Sequence, residues 1–308
     1  MRLILAAVTA GIAVCLPLSS CSAAISLKHI YTADGYSGSL RFLSPVAAHL
    51  DPKRPEIYIA DAGRDMLVTL GTDGRPLGYF YHRLRGRTEK REPAGIAVNS
   101  KGTVFVSDAS ENRIYMYDYR GESSGFILLP DGKSSPSLPG KLAVDADDNL
   151  YVAVRNAGKV LVLDSAGRFK TEISSPSSNS EMACCDVAVD GSGNIYALST
   201  KGPAVRIFDK LGNQDREFGK HEPGPTGFSG PAGIDVDGKG RLWIADAVSQ
   251  VVKVFQSDGT YIRMFGGLGS GEGAFFSPVD VCINRSTNTL FVLEKNGRRI
   301  QAFTIEDR

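Results

Sequence analysis

Histidine and cysteine, the side chains most often turned to acid–base, nucleophilic or metal chemistry, are scarce in this 308-residue chain, at 4 and 5. No Cys-x-x-Cys pair occurs, so neither a zinc site nor covalent haem attachment is offered. Cys184 and Cys185 are adjacent and Cys282 is remote; all three read as small apolar packing residues, with a strained vicinal bridge open to the pair in an oxidising compartment. The acids Asp61, Asp108, Asp246 and Glu294 recur at one structural position, and Arg113 and Arg299 each follow one of them by five residues. Such a set could ring a cation, or could be a turn-stabilising pair repeated from unit to unit; the repetition favours architecture. The run from Asp145 to Asn149 sets oxygen donors at alternate positions like the start of a calcium loop. Leu150 stands where that loop needs glycine and Asn156 where it needs an acid, so the run reads as a hairpin turn. No nucleophile with a nearby base, glycine-rich phosphate loop or zinc signature is found.

What could bring these groups together depends on the elements that carry them. Composition is that of a globular, turn-rich protein, with 42% hydrophobic residues, 22% charged, 34 Gly and 15 Pro. The N-terminus differs: Arg2 precedes a mostly apolar run from Leu3 to Leu18, too short for a permanent membrane span and flanked by charge on its N-terminal side. Residues 1–20 are read as an export signal. Leu18-Ser19-Ser20-Cys21 resembles the bacterial lipobox at all four positions, which makes Cys21 the lipidated first residue of the mature chain. Without Arg2 the chain carries 34 basic and 34 acidic side chains (35 − 1 against 34), so no bulk field selects nucleic acid or an anionic surface.

The remainder, 21–308, is internally repetitive. Tyr58, Phe105, Tyr151, Tyr196, Trp243 and Phe291 mark one column, spaced by 47, 46, 45, 47 and 48 residues. Each unit reads as four short strands punctuated by Gly, Asp and Asn turns, giving repeats at 44–80, 93–129, 139–173, 184–218, 231–265 and 278–305. One four-stranded unit has two hydrophobic faces and can bury neither alone. The units must therefore stack around an axis as an all-β, six-bladed β-propeller of antiparallel blades. The last unit stops after its third strand, and residues 26–31 parallel the fourth strand of the unit before it. The N-terminal strand is expected to complete the last blade and close the ring.

That architecture sorts the chemistry. His29 falls in the closing strand, and His82 and His221 in or beside outer strands; only His49 lies on an inner strand, in register with Asp235 and Cys282. Units one, five and six are neighbours, so His49, Asp235 and Cys282 could meet, against the plainer reading of a packed strand with a satisfied histidine. A second inner register holds Ala47, Gly95, Lys141, Asp186, Gly233 and Asp280. Lys141, Asp186 and Asp280, with His49 and Asp235, form a candidate ligand site at the channel rim, and no catalytic, metal or cofactor residue is assigned. On the outside, Tyr79, Phe80 and Tyr81, followed by Arg83, Arg85 and Arg87, form the candidate partner surface, since aromatic and Arg side chains anchor interfaces. The alternative is an outer strand with a solvated exit loop.

Pro93-Ala94-Gly95-Ile96-Ala97-Val98, Pro231-Ala232-Gly233-Ile234-Asp235-Val236, the Ile-Ala-Asp and Val-Ser-Asp strand ends and the linkers from Phe218 to Phe228 and from Phe265 to Phe275 resemble NHL repeats. The resemblance covers residues 24–305 and implies a six-bladed propeller, with Val154 and Ser199 departing from the strand-ending acid. Propellers of this kind include protein-binding scaffolds, sensor domains, RNA-binding modules and a minority of metal-assisted lyases and lactonases. Fold alone does not choose among them. With no convincing catalytic constellation, the expectation is an exported, lipid-anchored scaffold or ligand-binding protein of the cell envelope, with no cofactor. In a host with two membranes, Ser22 after the cysteine points to the outer one. Its partner would be an envelope protein or a small polar ligand, with the membrane contacted through the anchor only and no nucleic acid bound. The alternative is a metal-assisted propeller lyase or lactonase, and the third reading is an extracytoplasmic sensor subunit.

Overall fold

The computed structural model describes residues 25–38, 40–82, 91–130, 136–174 and 183–307. Cys21, the 1–20 segment and Arg83, Arg85 and Arg87 lie outside the described residues. Regular structure among the described residues is all β: six antiparallel sheets of four strands each, arranged as the blades of a propeller. The inner strands that line the axis are Pro45–Leu50, Pro93–Val98, Pro139–Val144, Cys184–Val189, Pro231–Val236 and Pro278–Asn284. Five of the six begin with proline, which has no N–H to leave unpaired at a strand start.

The core is distributed over six seams. One hydrophobic cluster lies between each pair of adjacent blades. In the second strand of blade one, Ile57 and Ile59 pack toward blade six while Tyr58 and Ala60 pack toward blade two. Strict alternation thus sends both faces of each middle strand into apolar seams, which explains why these strands read as short continuous hydrophobic runs. The aromatic column has a second role. Tyr151 and Tyr196 donate their hydroxyls to Asp145 and Asp190, and the Trp243 indole N–H donates to Asp237, at 3.1, 3.0 and 2.9 Å. Each of those aspartates also accepts two backbone N–H groups of its own hairpin. The 145–149 run is therefore a hairpin whose acid satisfies a buried aromatic tip.

The strand-ending acids are architectural too. Asp61 accepts the backbone N–H of Leu43 and Ser44, Asp246 those of Ser229 and Gly230, and Glu294 that of Phe276, so each pins the linker that enters its own blade. In blade four, Ser199 replaces the acid and its hydroxyl accepts the Ala183 N–H. Arg299 pairs with Glu294 at 2.6 Å, whereas Arg113 pairs with Glu111 at 3.5 Å and lies over Phe126, because His82 occupies the far side of Asp108.

The ring closes as expected: the sheet order of blade six places the N-terminal strand outermost, against the C-terminal one. The pairing is longer than the sequence suggested, running from Ile25 opposite Asp307 to Ala33 opposite Ile300, with a bulge between His29 and Tyr31. Ile25, Ile305 and Phe303 join the seam between blades five and six, so the closing strand is part of the core rather than a surface strap. Deleting residues 25–33 should lower the midpoint of thermal unfolding by at least about 10 °C, read by circular dichroism. An unchanged midpoint would show that the ring holds without its closing strand.

Candidate functional site in the axial channel

Inner strands of all six blades point the same way, so side chains in one register meet at one level of the axis. Lys141, from blade three, reaches across the ring to blades five and six. Its ammonium donates to the carbonyl oxygens of Ala232 at 2.8 Å and Val279 at 2.6 Å, and to Asp280 Oδ1 at 2.6 Å, while Asp186 Oδ2 lies 3.6 Å away. All four groups are in the same register or one residue from it. Two glycines make the approach possible. A Cβ on Gly233 would come within 2.7 Å of the Asp280 Cα, and one on Gly95 within 2.6 Å of the Lys141 Cα.

The acids are held by the backbone in one repeated way. Asp186 accepts the N–H of Val187 and that of Ile234 in the next blade; Asp280 accepts Val281 and Ala48; Asp235 accepts Val236 and Ile283. His49 does the same through Nδ1, which accepts the Val98 N–H at 3.3 Å. Each polar side chain thus clamps its own inner strand to the following one. Arg285, just past the inner strand of blade six, adds a second bridge, donating to the carbonyls of Val236 and Val189 at 2.8 and 3.0 Å.

A cavity of about 630 Å³ follows the axis. Its lining begins at the level of Lys141, Asp186 and Asp280 and extends to the hairpins after the inner strands of blades one and six, so the ion cluster is its floor and those hairpins form its mouth. Four acids (Asp51, Asp186, Asp235, Asp280) and four bases (Lys53, Arg54, Lys141, Arg285) line it, a balance suited to an uncharged, hydrogen-bonding ligand. Burial pushes the Asp186 carboxyl up to about 7 despite the nearby ammonium. Burial likewise raises Asp280 and Asp235. Burial alone would lower Lys141, but Asp280 and Asp186 hold it above the ordinary lysine value. The ammonium therefore stays charged, and the Asp186 carboxyl lies close to its titration point at neutral pH. Burial drives His49 down to about 4, so it is neutral at pH 7. With Nδ1 accepting, its Nε2 carries the proton.

All five residues expected at the channel, His49, Lys141, Asp186, Asp235 and Asp280, line this one cavity, as does Cys282. His49, Asp235 and Cys282 do not form a metal set, and among the described residues no three His, Cys, Asp or Glu side chains could hold an ion together. Cys184, Cys185 and Cys282 are free thiols, and burial raises the pKa of each above the ordinary thiol value, Cys185 to about 12. The reach of Lys141 to two carbonyls, the acid clamps and Arg285 went unread in the sequence. For Lys141 and the acids, the only signal is a charged residue at strand positions where other blades carry alanine or glycine. On the outside of blade one, Tyr79 and Tyr81 are exposed and Tyr79 stacks edge-to-face with both Tyr81 and Tyr36, but Phe80 turns inward against Tyr117 in the seam to blade two. Strand alternation removes it from the candidate partner surface.

A family model described as SMP-30/gluconolactonase/LRE-like region matches residues 87–200, and a second, described as a 6-bladed beta-propeller, matches residues 228–307. Among curated proteins, the chain is 29% identical over 141 residues to protein brain tumor of Drosophila melanogaster, and 34% identical over 80 residues to lactonase drp35 of Staphylococcus saprophyticus. Those matches take in 42% and 24% of this chain and span 12% and 24% of the two relatives. Among solved structures, virginiamycin B lyase from Staphylococcus aureus superposes with a TM-score of 0.61 at 13% identity, covering 91% of this chain and 99% of the lyase. A gluconolactonase, XC5397 from Xanthomonas campestris, gives 0.63 at 15%, covering 91% and 89%. At these identities the structures establish a shared fold.

The His49 clamp has a pH signature. The unfolded imidazole takes up its proton near pH 6.5 and the folded one only near 4, so between these values the unfolded chain binds more protons. Stability present above pH 6.5 is lost as the pH falls toward 4. In His49→Gln the drop in unfolding midpoint between pH 7 and 4.5 should be smaller than in the wild type by several degrees. Parallel curves for the two proteins would remove His49 from the acid response.

Proposed function

We propose that the protein is a ring-opening enzyme of lactonase type that acts on a small, uncharged cyclic ester in the axial channel. The observation that carries this reading is Asp186: a buried carboxyl on the cavity floor, held by two backbone N–H groups and with its pKa raised to about 7. A carboxyl of that acidity is matched to accepting a proton from water at neutral pH and returning it to a leaving alkoxide. His49 faces the same cavity from the opposite side of the ring, and its neutral Nε2–H is a donor suited to the ester carbonyl oxygen as charge develops there. Lys141 is not such a donor, because its three protons already point at Ala232, Val279 and Asp280. The two partial family resemblances, to a gluconolactonase-like region and to a lactonase, support this assignment.

The NHL-like character of the repeats, export and the lipid on Cys21 belong to the same proposal. The chain enters its first strand at Ile25, which pairs with Asp307 on the side of the ring where the inner strands end and the channel opens. A lipid on Cys21, four residues upstream, would tether the mouth side toward the membrane.

Two outcomes test the reading. A panel of five- and six-membered lactones, followed by proton release at pH 7.5, should include at least one substrate whose kcat falls about 100-fold or more in Asp186→Asn with KM little changed. Absence of turnover across the panel, or full activity in the variant, would return the channel to a binding role. For the anchor, Cys21→Ser should move the protein from the membrane to the soluble fraction of its host; continued membrane retention would count against lipidation.

A further inference from the structure

The oxygen atoms around the Lys141 ammonium make a cage of the kind a hard cation requires. Two backbone carbonyls, of Ala232 and Val279, and two carboxylates, of Asp280 and Asp186, converge from blades four, five and six on one point at the axis. Carbonyl and carboxylate oxygens in this mixture are the donor set of a calcium-type site. The carbonyls belong to inner strands, and the carboxylates are fixed by the N–H groups of Val187, Ile234, Val281 and Ala48, so the cage is rigid without its occupant. The occupant is supplied by blade three as a side chain. Lys141 is buried, and the two acids hold its pKa above the ordinary lysine value, so the ammonium stays charged there.

We propose that Lys141 is the resident cation of this propeller: its ammonium fills an axial oxygen cage that would otherwise take a divalent metal ion, so the channel works without one. In this chain the cation at the floor of the channel is covalently part of blade three. The ion cluster also explains the close approach of neighbouring inner strands at Gly95 and Gly233, since bulk at either position would push Lys141 or Asp280 off the axis. The inference deepens the reading of the channel as the working site, but its test needs no substrate. Turnover of lactones and occupancy of the cage can therefore fail separately.

Calcium is the probe, titrated calorimetrically into the purified full chain after chelator and dialysis, with unfolding midpoints measured alongside. The wild type should bind no ion at the cage, and metal analysis of protein prepared without chelator should find far less than one calcium, zinc, manganese or iron per chain. Lys141→Met, which is one atom shorter and so withdraws from the ammonium's position while removing the charge, should gain about one calcium site per chain, at least tenfold tighter than any wild-type binding. Adding Asp280→Asn to that variant should abolish the gain. Lys141→Ala, which opens more room, serves should the methionine variant fail to fold. A folded variant that binds calcium no better than the wild type overturns the proposal. So does a wild type that retains one divalent ion per chain and loses it in Asp280→Asn, and this second result can be read even if neither lysine variant folds.

Discussion

A single buried ammonium at the axis fixes the level and orientation of everything that opens above it. Six blades could be packed by hydrophobic seams alone, but seams are non-directional and allow the blades to slide and tilt. Lys141 instead ties three blades to one point: its stem belongs to blade three, and its protons go to carbonyls and a carboxylate of blades five and six. Removing one partner from such a cluster leaves an uncompensated buried charge, at a cost of about 3–5 kcal/mol, so the groups that meet at this point are held in register with one another.

The same carboxylates serve two purposes. Asp186, Asp235 and Asp280 each accept an N–H from the next inner strand, and His49 continues the pattern, so the wall of the cavity is also the set of latches between blades. Burial needed for latching is what raises the Asp186 carboxyl toward neutrality and keeps His49 uncharged. Structural and chemical roles are therefore not competing readings of these residues. The desolvation that makes a clamp directional also shifts its proton affinity into a useful range.

Much of the architecture was legible in the residues. The aromatic column and its 45–48-residue spacing, the missing fourth strand of the last unit and the matching N-terminal segment fix a six-bladed ring and its closure. The strand-ending acids and the Asp145 hairpin were legible because both repeat, and repetition separates architecture from chemistry. The site was legible only as a list: His49, Lys141, Asp186, Asp235 and Asp280 share two registers, and register places them at the axis. Which of them touch was not, because contact depends on how far a flexible lysine reaches across the ring and on which strand approaches at Gly95 and Gly233. Phe80 obeys a simpler rule, as the middle of three consecutive aromatics in a strand faces the opposite way from its neighbours, here into the seam to blade two.

The central claim is electrostatic: one ammonium is shared by two buried carboxyls, and the farther of them gives up its proton only near neutrality. It is tested most directly by carbon-13 NMR titration of the aspartate side-chain carboxyls between pH 3 and 9. The account predicts one carboxyl titrating with an apparent pKa of about 7, absent from the spectrum of Asp186→Asn. If every aspartate carboxyl instead titrates below pH 5, in the range expected of ordinary aspartates, the channel floor holds no acid poised for neutral pH and the account is wrong.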